Sequence, residues 1–210
     1  MKLFIKICGI TRTADALCAA AHGADAIGLN FFSGSPRCVG LETAAEICRA
    51  LPSHVLKTGL FVNASRDEIR RCDEQCRFDL IQLHGDEGPE ECLAWGGRAV
   101  RAVRLRSEAD LGVVAALRGV GMIVCDAAVP GVYGGTGQRA DWELARRVVG
   151  FGIPVLLAGG LTPDNVAEAV RAVRPYGVDV AGGVESAPGI KDPGKVAAFI
   201  CAAREAANAL

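Results

Sequence analysis

A short apolar strand pattern followed by a helical pattern recurs eight times along this chain of 210 residues, and this repetition constrains the fold more than any other feature. Strand patterns cover residues 3–7, 26–31, 55–62, 80–84, 100–103, 122–126, 154–158 and 178–180. Helical patterns cover residues 14–21, 42–51, 65–76, 89–95, 108–117, 142–149, 163–173 and 193–207. One unit takes roughly 25 residues, which suits a strand, a helix and two short loops.

Strand–helix alternation along the whole chain predicts parallel strands joined by right-handed crossovers. Eight such units favour a closed (β/α)8 TIM barrel of the α/β class over an open, doubly wound sheet. Because the length also fits one domain, we expect residues 1–210 to form a single barrel domain.

Barrels of this kind carry their active sites at the carboxyl ends of the strands. The residues that are unusual for a strand lie at those ends: Cys8, Asn30, Gln82, His84, Asp126 and Asp179. Successive side chains of a strand point to opposite faces. The apolar neighbours of these residues should therefore face the helices, and the polar residues should face the barrel mouth.

Glycine pairs follow the last two strands, Gly159-Gly160 after the seventh and Gly182-Gly183 after the eighth. Glycine lets backbone N–H groups approach a ligand closely, and helix N-termini favour anions. In this fold the loops after strands seven and eight are a frequent phosphate site. We therefore predict a phosphate site there; the alternative is that these glycines only form tight turns.

Asp126 ends the sixth strand just before a glycine-rich loop over residues 127–137. Burial beneath a loop favours the protonated form of a carboxyl, which could then act as a general acid. With Cys8 as a base on the far side of the barrel, the pair would suit isomerisation of an aldose-type sugar phosphate. The alternatives are that Asp126 caps a turn and that Cys8 only fills the mouth.

Cys8 is an unusual base, since a free thiol with a pKa of about 8.5 is mostly protonated at neutral pH. Lys6 lies two residues earlier on the same face of the strand and could lower that pKa. A buried lysine would itself need an anion. Asp179, on the strand that closes beside the first, is its predicted partner.

Two further polar residues have an ambiguous role. Arg37 lies in a Ser-Pro-Arg loop after the second strand, where it could bind a substrate carboxylate in bidentate fashion or remain a solvated loop residue. His84 could contact a ligand or lie with its hydrogen bonds satisfied at the edge of the core.

The composition argues against several kinds of partner. With 23 Lys and Arg against 24 Asp and Glu and no basic tract, a nucleic-acid or anionic-membrane surface is not expected. Apolar runs are far shorter than the ~20 residues that span a bilayer, and no secretory leader is recognisable, so we expect a cytoplasmic protein. Nine scattered cysteines without a C-x-x-C pair predict neither a disulfide framework nor a metal site. We expect a monomer, with a homodimer as the alternative.

Several short motifs follow one another in a characteristic order. They are Lys6-Ile7-Cys8-Gly9-Ile10-Thr11, Gln82-Leu83-His84-Gly85, Gly134-Gly135-Thr136-Gly137, Gly159-Gly160-Leu161-Thr162-Pro163 with Asn165, and Asp179-Val180 through Gly183-Val184-Glu185 with Pro188-Gly189 and Lys191-Asp192. In this combination the chain resembles the phosphoribosylanthranilate isomerase family along essentially its whole length.

The resemblance implies an Amadori rearrangement in L-tryptophan biosynthesis, with no metal or organic cofactor. N-(5-phosphoribosyl)anthranilate would be converted into 1-(2-carboxyphenylamino)-1-deoxyribulose 5-phosphate. The family's general acid falls on Asp126, its general base on Cys8, and its carboxylate-binding arginine on Arg37. The full set of predicted substrate-binding residues is Arg37, Gln82, His84, Gly159, Gly160, Asp179, Ala181, Gly182 and Gly183, with phosphate on the backbone amides of the glycine-rich segments.

The chain departs from the family pattern at two places. Members commonly carry Ser-Ser where this chain has Ala181-Gly182, so hydroxyl contacts to phosphate would be lost and KM would suffer more than kcat. An aromatic residue is common at the position of Cys38, so the anthranilate edge of the pocket should be looser.

Three other functions compete with the isomerase. A ribulose-phosphate epimerase needs a metal cluster of His and Asp at strand ends, for which only His84 is available. A relative of indole-glycerol-phosphate synthase would carry lysine and glutamate at the strand ends. That function does not account for the pairing of Cys8 with Asp126. An inactive sugar-phosphate-binding paralogue is disfavoured because both the acid and the base are retained.

Overall fold

A closed barrel of eight parallel strands forms the centre of the computed structural model, which describes residues 2–127 and 141–210. The strands are β1 (Phe4–Ile7), β2 (Ala26–Asn30), β3 (Leu56–Phe61), β4 (Leu80–Leu83), β5 (Ala99–Leu105), β6 (Met122–Ala127), β7 (Val155–Leu157) and β8 (Gly177–Val180). Each strand pairs with the next along the chain, and β8 closes the barrel against β1. The predicted (β/α)8 barrel is confirmed.

Helices follow the strands around the outside of the barrel. They are α1 (Thr13–Ala21), α2 (Leu41–Ala50), α3 (Arg66–Cys76), α4 (Pro89–Leu93), α5 (Asp110–Ala116), α6 (Trp142–Val149), α7 (Val166–Val173) and α8 (Pro193–Asn208). The predicted helices therefore exist, with ends that differ by a few residues. Across the described part of the chain, no helix combines the length and the apolar character that crossing a membrane requires.

Apolar side chains pack in two separate layers, as the alternation of the strands predicts. Ile5, Ile7 and Val178 belong to the large outer core between the strands and the helices. Val124 and Leu156 belong to a smaller inner core that fills the barrel itself. Since burying one such side chain contributes about 1.5–3 kcal/mol, the outer core is the main source of stability, and the smaller inner core leaves part of the interior to polar groups.

The N-terminus of α3 is held by the capping box that the sequence pattern predicts. The Ser65 hydroxyl accepts a hydrogen bond from the backbone N–H of Glu68, and the Glu68 carboxylate accepts one from the backbone N–H of Ser65. Two donors that a helix start leaves without an intrahelical acceptor are thereby satisfied.

The region after β7 differs from the prediction, because α7 begins at Val166 rather than at residue 163. The Asn165 side chain accepts a hydrogen bond from Thr162 N at 2.8 Å and donates one to Gly160 O at 2.9 Å. These bonds hold residues 160–165 as a turn ahead of the helix. The glycines after β7 are thus part of a braced loop.

A short antiparallel hairpin after β8 was not predicted. Its strands are β9 (Glu185–Ala187) and β10 (Ile190–Lys191), and Gly189 turns the chain between them with a φ of 79°. The Thr11 hydroxyl donates a hydrogen bond of 2.6 Å to Gly189 O, which ties the hairpin to the loop after β1. A two-residue strand is too short to give a recognisable alternation.

Replacing Ser65 with Ala should lower the free energy of unfolding by about 1 kcal/mol, the usual loss for a helix N-cap. Urea unfolding followed by circular dichroism measures the change. Ser53, an exposed residue of a turn, provides the matched control, and Ser53→Ala should leave the midpoint unchanged. Equal midpoints for the Ser65→Ala variant and the parent chain would contradict the role of the cap.

Candidate active site

A cavity of about 550 Å³ opens at the carboxyl ends of the strands. Every residue predicted for the site lines it, namely Cys8, Arg37, Gln82, His84, Asp126, Gly159, Gly160, Asp179, Ala181, Gly182 and Gly183. The volume lies within the range of about 300–1,000 Å³ that is usual for small-molecule sites. The predicted loop over residues 127–137 falls, beyond Ala127, outside the described residues.

A buried ion pair lies beneath Cys8. Lys6 and Asp179 stand opposite each other on β1 and β8, and the Lys6 Nζ atom is 3.0 Å from both carboxylate oxygens of Asp179. The Lys6 side chain is fully buried. The predicted pairing of Lys6 with Asp179 is confirmed.

Gly28 on the neighbouring strand β2 makes room for this arrangement. A Cβ at that position would lie 2.7 Å from Cys8 Sγ and 3.1 Å from Lys6 Nζ. The thiol and the ammonium therefore occupy the space that any larger residue would take. A glycine in a strand is often the mark of such a close approach.

Burial has the largest effect on the pKa of the Cys8 thiol. Burial raises the pKa of the Cys8 thiol and Asp179 adds to the rise, while the opposing attraction of Lys6 is too weak to reverse it. Burial alone would lower the pKa of Lys6, but the Asp179 carboxylate and Cys8 together raise it. Lys6 therefore stays charged, and Cys8 is mostly a neutral thiol at neutral pH. Lys6 does lower the pKa of Cys8, as predicted, but burial outweighs it and the net pKa of the thiol is raised.

Asp126 lies on the other side of the mouth, close to His84. The His84 Nε2 atom is 3.3 Å from Asp126 Oδ2, near enough for electrostatic attraction when the imidazole is protonated. The Gln82 amide nitrogen is 3.1 Å from His84 Nδ1, and Gln82 is fully buried. The histidine ring is thus fixed between a buried amide and the carboxylate that the sequence singles out as an acid.

The glycine-rich segments form one end of the cavity. Gly159 and Gly160 have φ values of 82° and 62°, in the left-handed region that favours glycine. A Cβ on Gly183 would lie 1.8 Å from Leu161 O, so the two segments touch through their backbones. At positions 181 and 182 the cavity wall offers backbone groups and a methyl group, without hydroxyls.

Arg37 is more constrained than a solvated loop arginine. Its Nε and Nη2 atoms each donate a hydrogen bond of 2.8 Å to the carboxylate of Glu185, and its side chain is 13% exposed. Burial alone would raise the pKa of Glu185, but the bonds from Arg37 and Lys191 outweigh it and lower that pKa. The sequence motifs contain Glu185 and Lys191, but no role was predicted for either residue. Their contact joins the two strands of a hairpin that the sequence did not predict.

Two residues of the cavity wall also lacked a prediction. Phe32 and Pro36 line the cavity in the loop that carries Arg37. They supply apolar surface beside the arginine, although Cys38, which stands where an aromatic was expected, is exposed. No strand or helix pattern extends into this loop, so the sequence held no indication of which of its side chains turn inward.

A closed barrel that gathers a buried thiol, a carboxyl group and a glycine-lined cradle at its strand ends defines an enzyme of the (β/α)8-barrel class. The sequence model of the family described as N-(5'phosphoribosyl)anthranilate (PRA) isomerase matches residues 5–202. The chain therefore belongs to the N-(5'-phosphoribosyl)anthranilate isomerase family, and it is an isomerase of tryptophan biosynthesis.

Individual relatives agree with this family. The N-(5'-phosphoribosyl)anthranilate isomerase of Myxococcus xanthus (strain DK1622) is 49% identical over 207 residues, which is 97% of this chain and 97% of that protein. The crystal structure of phosphoribosyl anthranilate isomerase from Thermotoga maritima superposes with a TM-score of 0.89 at 35% identity, covering 97% of this chain and 99% of that chain. Another crystal structure, described as generated monomers of the dimeric enzyme from Thermotoga maritima, gives a TM-score of 0.87 at 34% identity, with the same coverage of 97% and 99%.

One related structure contains a ligand. It is a phosphoribosyl anthranilate isomerase in complex with reduced 1-(o-carboxyphenylamino)-1-deoxyribulose 5-phosphate. It superposes with a TM-score of 0.86 at 34% identity and covers 97% of this chain and 99% of that chain.

Breaking the buried pair from one side should be far more costly than removing it whole. Lys6→Met leaves a buried carboxylate and Asp179→Leu leaves a buried ammonium, so each should lower the free energy of unfolding by about 3–5 kcal/mol. The double variant Lys6→Met/Asp179→Leu should be more stable than either single variant. Urea unfolding curves give the three values.

An exposed ion pair serves as the control for that series. Arg70 and Asp67 are both mostly exposed on α3, and Asp67→Ala should change the unfolding free energy little. Additive losses in the double variant Lys6→Met/Asp179→Leu would show that Lys6 and Asp179 do not depend on each other.

Proposed function

We propose that this isomerase converts N-(5-phosphoribosyl)anthranilate into 1-(2-carboxyphenylamino)-1-deoxyribulose 5-phosphate, with Asp126 as general acid and Cys8 as general base. The observation that carries the proposal is that these two residues line one cavity from β6 and β1, strands that are not neighbours in the barrel. A ligand in that cavity can therefore have the acid on one side and the base on the other.

The cavity has a suitable surface for each part of this substrate. Backbone groups around Gly160 and Gly183 suit the phosphate, since a doubly charged oxyanion accepts several N–H bonds at once. Phe32 and Pro36 suit the aromatic ring, and Arg37 suits its carboxylate. The complex of a relative with the reduced product supports this choice of ligand class.

The reaction needs one proton to be given and another to be taken. Asp126 donates a proton to the ring oxygen of the ribofuranose, the C1–O bond breaks, and the amine nitrogen forms a protonated Schiff base with C1. Cys8 then removes the proton from C2, and the electron pair of that bond moves to give an enolamine. The enolamine tautomerises to the ketose product.

Cys8 must be a thiolate when it takes the proton, whereas burial favours the neutral thiol. Two buried ammonium groups counteract that effect, because both Lys6 and Lys191 attract the thiolate and oppose the rise of its pKa. We infer that only a fraction of the enzyme carries the reactive thiolate at neutral pH, and that this fraction is held in place beside Lys6.

The remaining expectations stay predictions. They are the single-domain organisation over residues 1–210, the cytoplasmic location and the monomeric state. A dimer is the competing oligomeric state, since the Thermotoga maritima relative is described as dimeric.

Replacing the acid or the base should remove most of the activity. We expect Cys8→Ser and Asp126→Asn to lower kcat by about 10²–10⁴-fold, the usual contribution of a positioned acid or base. The measurement is the loss of anthranilate fluorescence from phosphoribosylanthranilate that is generated in situ. Cys18→Ser on α1 and Asp67→Asn on α3 change the same residue types away from the cavity and should keep parental rates.

Each outcome of that assay has a distinct meaning. A parental chain that is no faster than the uncatalysed background would remove the isomerase function. An Asp126→Asn variant with normal kcat would keep the isomerase but assign the acid to another group.

Alkylation by iodoacetamide reports the protonation of Cys8 directly. Because the thiolate reacts and burial raises the pKa of Cys8, its alkylation rate should still increase at pH values above the ordinary thiol pKa of about 8.5. Mass spectrometry of the Cys8 peptide gives the rate at each pH, and the exposed Cys38 provides the comparison within the same sample. A rate that levels off below pH 8 would contradict the raised pKa.

A further inference from the structure

A buried cluster of three charged side chains lies directly behind the cavity wall at Arg37. Glu185 accepts hydrogen bonds from Arg37 on one side and from the Nζ atom of Lys191, at 2.8 Å, on the other. The side chains of Glu185 and Lys191 are 5% and 1% exposed. Arg37 lines the cavity, whereas Glu185 and Lys191 do not.

The net charge of this cluster determines how strongly Arg37 can attract an anionic ligand. Arg37 and Glu185 alone would form an ion pair with no net charge, in which two guanidinium nitrogens bind both carboxylate oxygens. Lys191 adds a second positive charge to the same carboxylate. The three groups together carry a net charge of +1, which is what a singly charged carboxylate on a ligand requires.

Arg37 lines the cavity, and Glu185 engages only two of its three guanidinium nitrogens. Its Nε and Nη2 atoms donate to Glu185, and within the described residues its Nη1 atom has no hydrogen-bond partner. Glycines make space for the side chain: a Cβ on Gly9 would lie 2.5 Å from Arg37 Cδ, and one on Gly182 would lie 3.1 Å from Nη2. The guanidinium is therefore fixed by Glu185 and keeps one nitrogen, Nη1, that does not bind Glu185.

Lys191 is itself held by residues outside the hairpin. Its Nζ atom donates a second hydrogen bond, of 3.0 Å, to Ala181 O, and its backbone N–H donates one of 3.1 Å to Asp15. A lysine anchored at both ends has little freedom to turn away from Glu185. Burial lowers the pKa of Lys191, while the bond to Glu185 and its charge oppose that fall and favour the ammonium form. The Lys191 side chain is thus fixed behind the cavity wall.

We propose that Lys191, acting through Glu185 and Arg37, determines the specificity of the site for a ligand with an aromatic carboxylate. Lys191 is a positioning residue. Its positive charge offsets the negative charge of Glu185, so that Arg37 keeps a net attraction for the carboxylate of the ligand. The proposal rests on the proposed function, in which Arg37 binds the anthranilate carboxylate, and extends it to two residues that lie outside the cavity.

The test compares two ligands that differ only in that carboxylate. The first probe is reduced 1-(2-carboxyphenylamino)-1-deoxyribulose 5-phosphate, and the second is the same compound made from aniline, without the carboxyl group. Calorimetry gives the Kd of each probe. The carboxylate preference of a variant is the Kd of the second probe divided by the Kd of the first. The preference separates the effect on the carboxylate from any general damage to the site, which would weaken both probes.

Lys191→Met should lower the carboxylate preference by about tenfold while the Kd of the second probe stays close to the parental value. Lys191→Gln removes the charge but keeps a donor for Glu185 and Ala181 O, and it should show the same loss even if the Met variant folds poorly. The double variant Glu185→Gln/Lys191→Met restores a net charge of +1 and should regain most of the preference. Lys195→Met is the matched control and should leave the preference unchanged. Lys195 is exposed, and its Nζ atom donates to the backbone carbonyl of Glu185 and not to the carboxylate.

The results distinguish the two proposals. If Lys191→Met and Lys191→Gln keep the parental preference while Arg37→Met loses it, the role of Lys191 is overturned and the proposed function stands. If Arg37→Met also keeps the preference, or if the parental chain binds neither probe, the proposed function itself fails. A preference that Lys195→Met reduces as much as Lys191→Met would show that general surface charge is responsible, and would overturn the role of Lys191.

Discussion

The buried ion pair between Lys6 and Asp179 is the interaction on which the rest of the site depends. It joins the first and last strands of the barrel, and its two partners face each other in register. A charge in the barrel interior is tolerable only when it is paired and hydrogen-bonded, so neither residue can be explained without the other. The pair fills the space that Gly28 leaves and sets the electrostatic surroundings of Cys8.

The mouth of the barrel divides into an acidic side and a cationic side. Asp126 lies 3.3 Å from His84, and the buried Gln82 amide holds the other nitrogen of that ring. Cys8 lies beside the ion pair of Lys6 and Asp179 and near the cluster behind Arg37, in which two cationic side chains share one carboxylate. This asymmetry suits a substrate that receives a proton at one end and yields one at the other, and it explains how a thiol that burial keeps neutral can still be drawn toward its charged form.

Local rules account for the parts of the fold that were predicted correctly. Alternation in β1 and β8 placed Lys6 and Asp179 in the interior, and the closure of the barrel made them neighbours. The Ser65 capping box depends on residues three positions apart and was therefore visible in the chain. The start of α7 and the hairpin from Glu185 to Lys191 were missed, because they follow from the Asn165 side chain and from contacts with Thr11, which lies 178 positions away from Gly189.

By itself, the sequence determined the eight-unit barrel, the set of residues at its mouth and the family to which the chain belongs, because periodicity and motif order are properties of neighbouring residues. The tertiary structure decided the state of those residues. It raised the pKa of Cys8 through burial, joined Arg37 to Glu185 and Lys191, and brought Asp126 within 3.3 Å of His84. Desolvation and charge pairing act through space between segments that are distant in the chain, and so they follow only from the packed barrel.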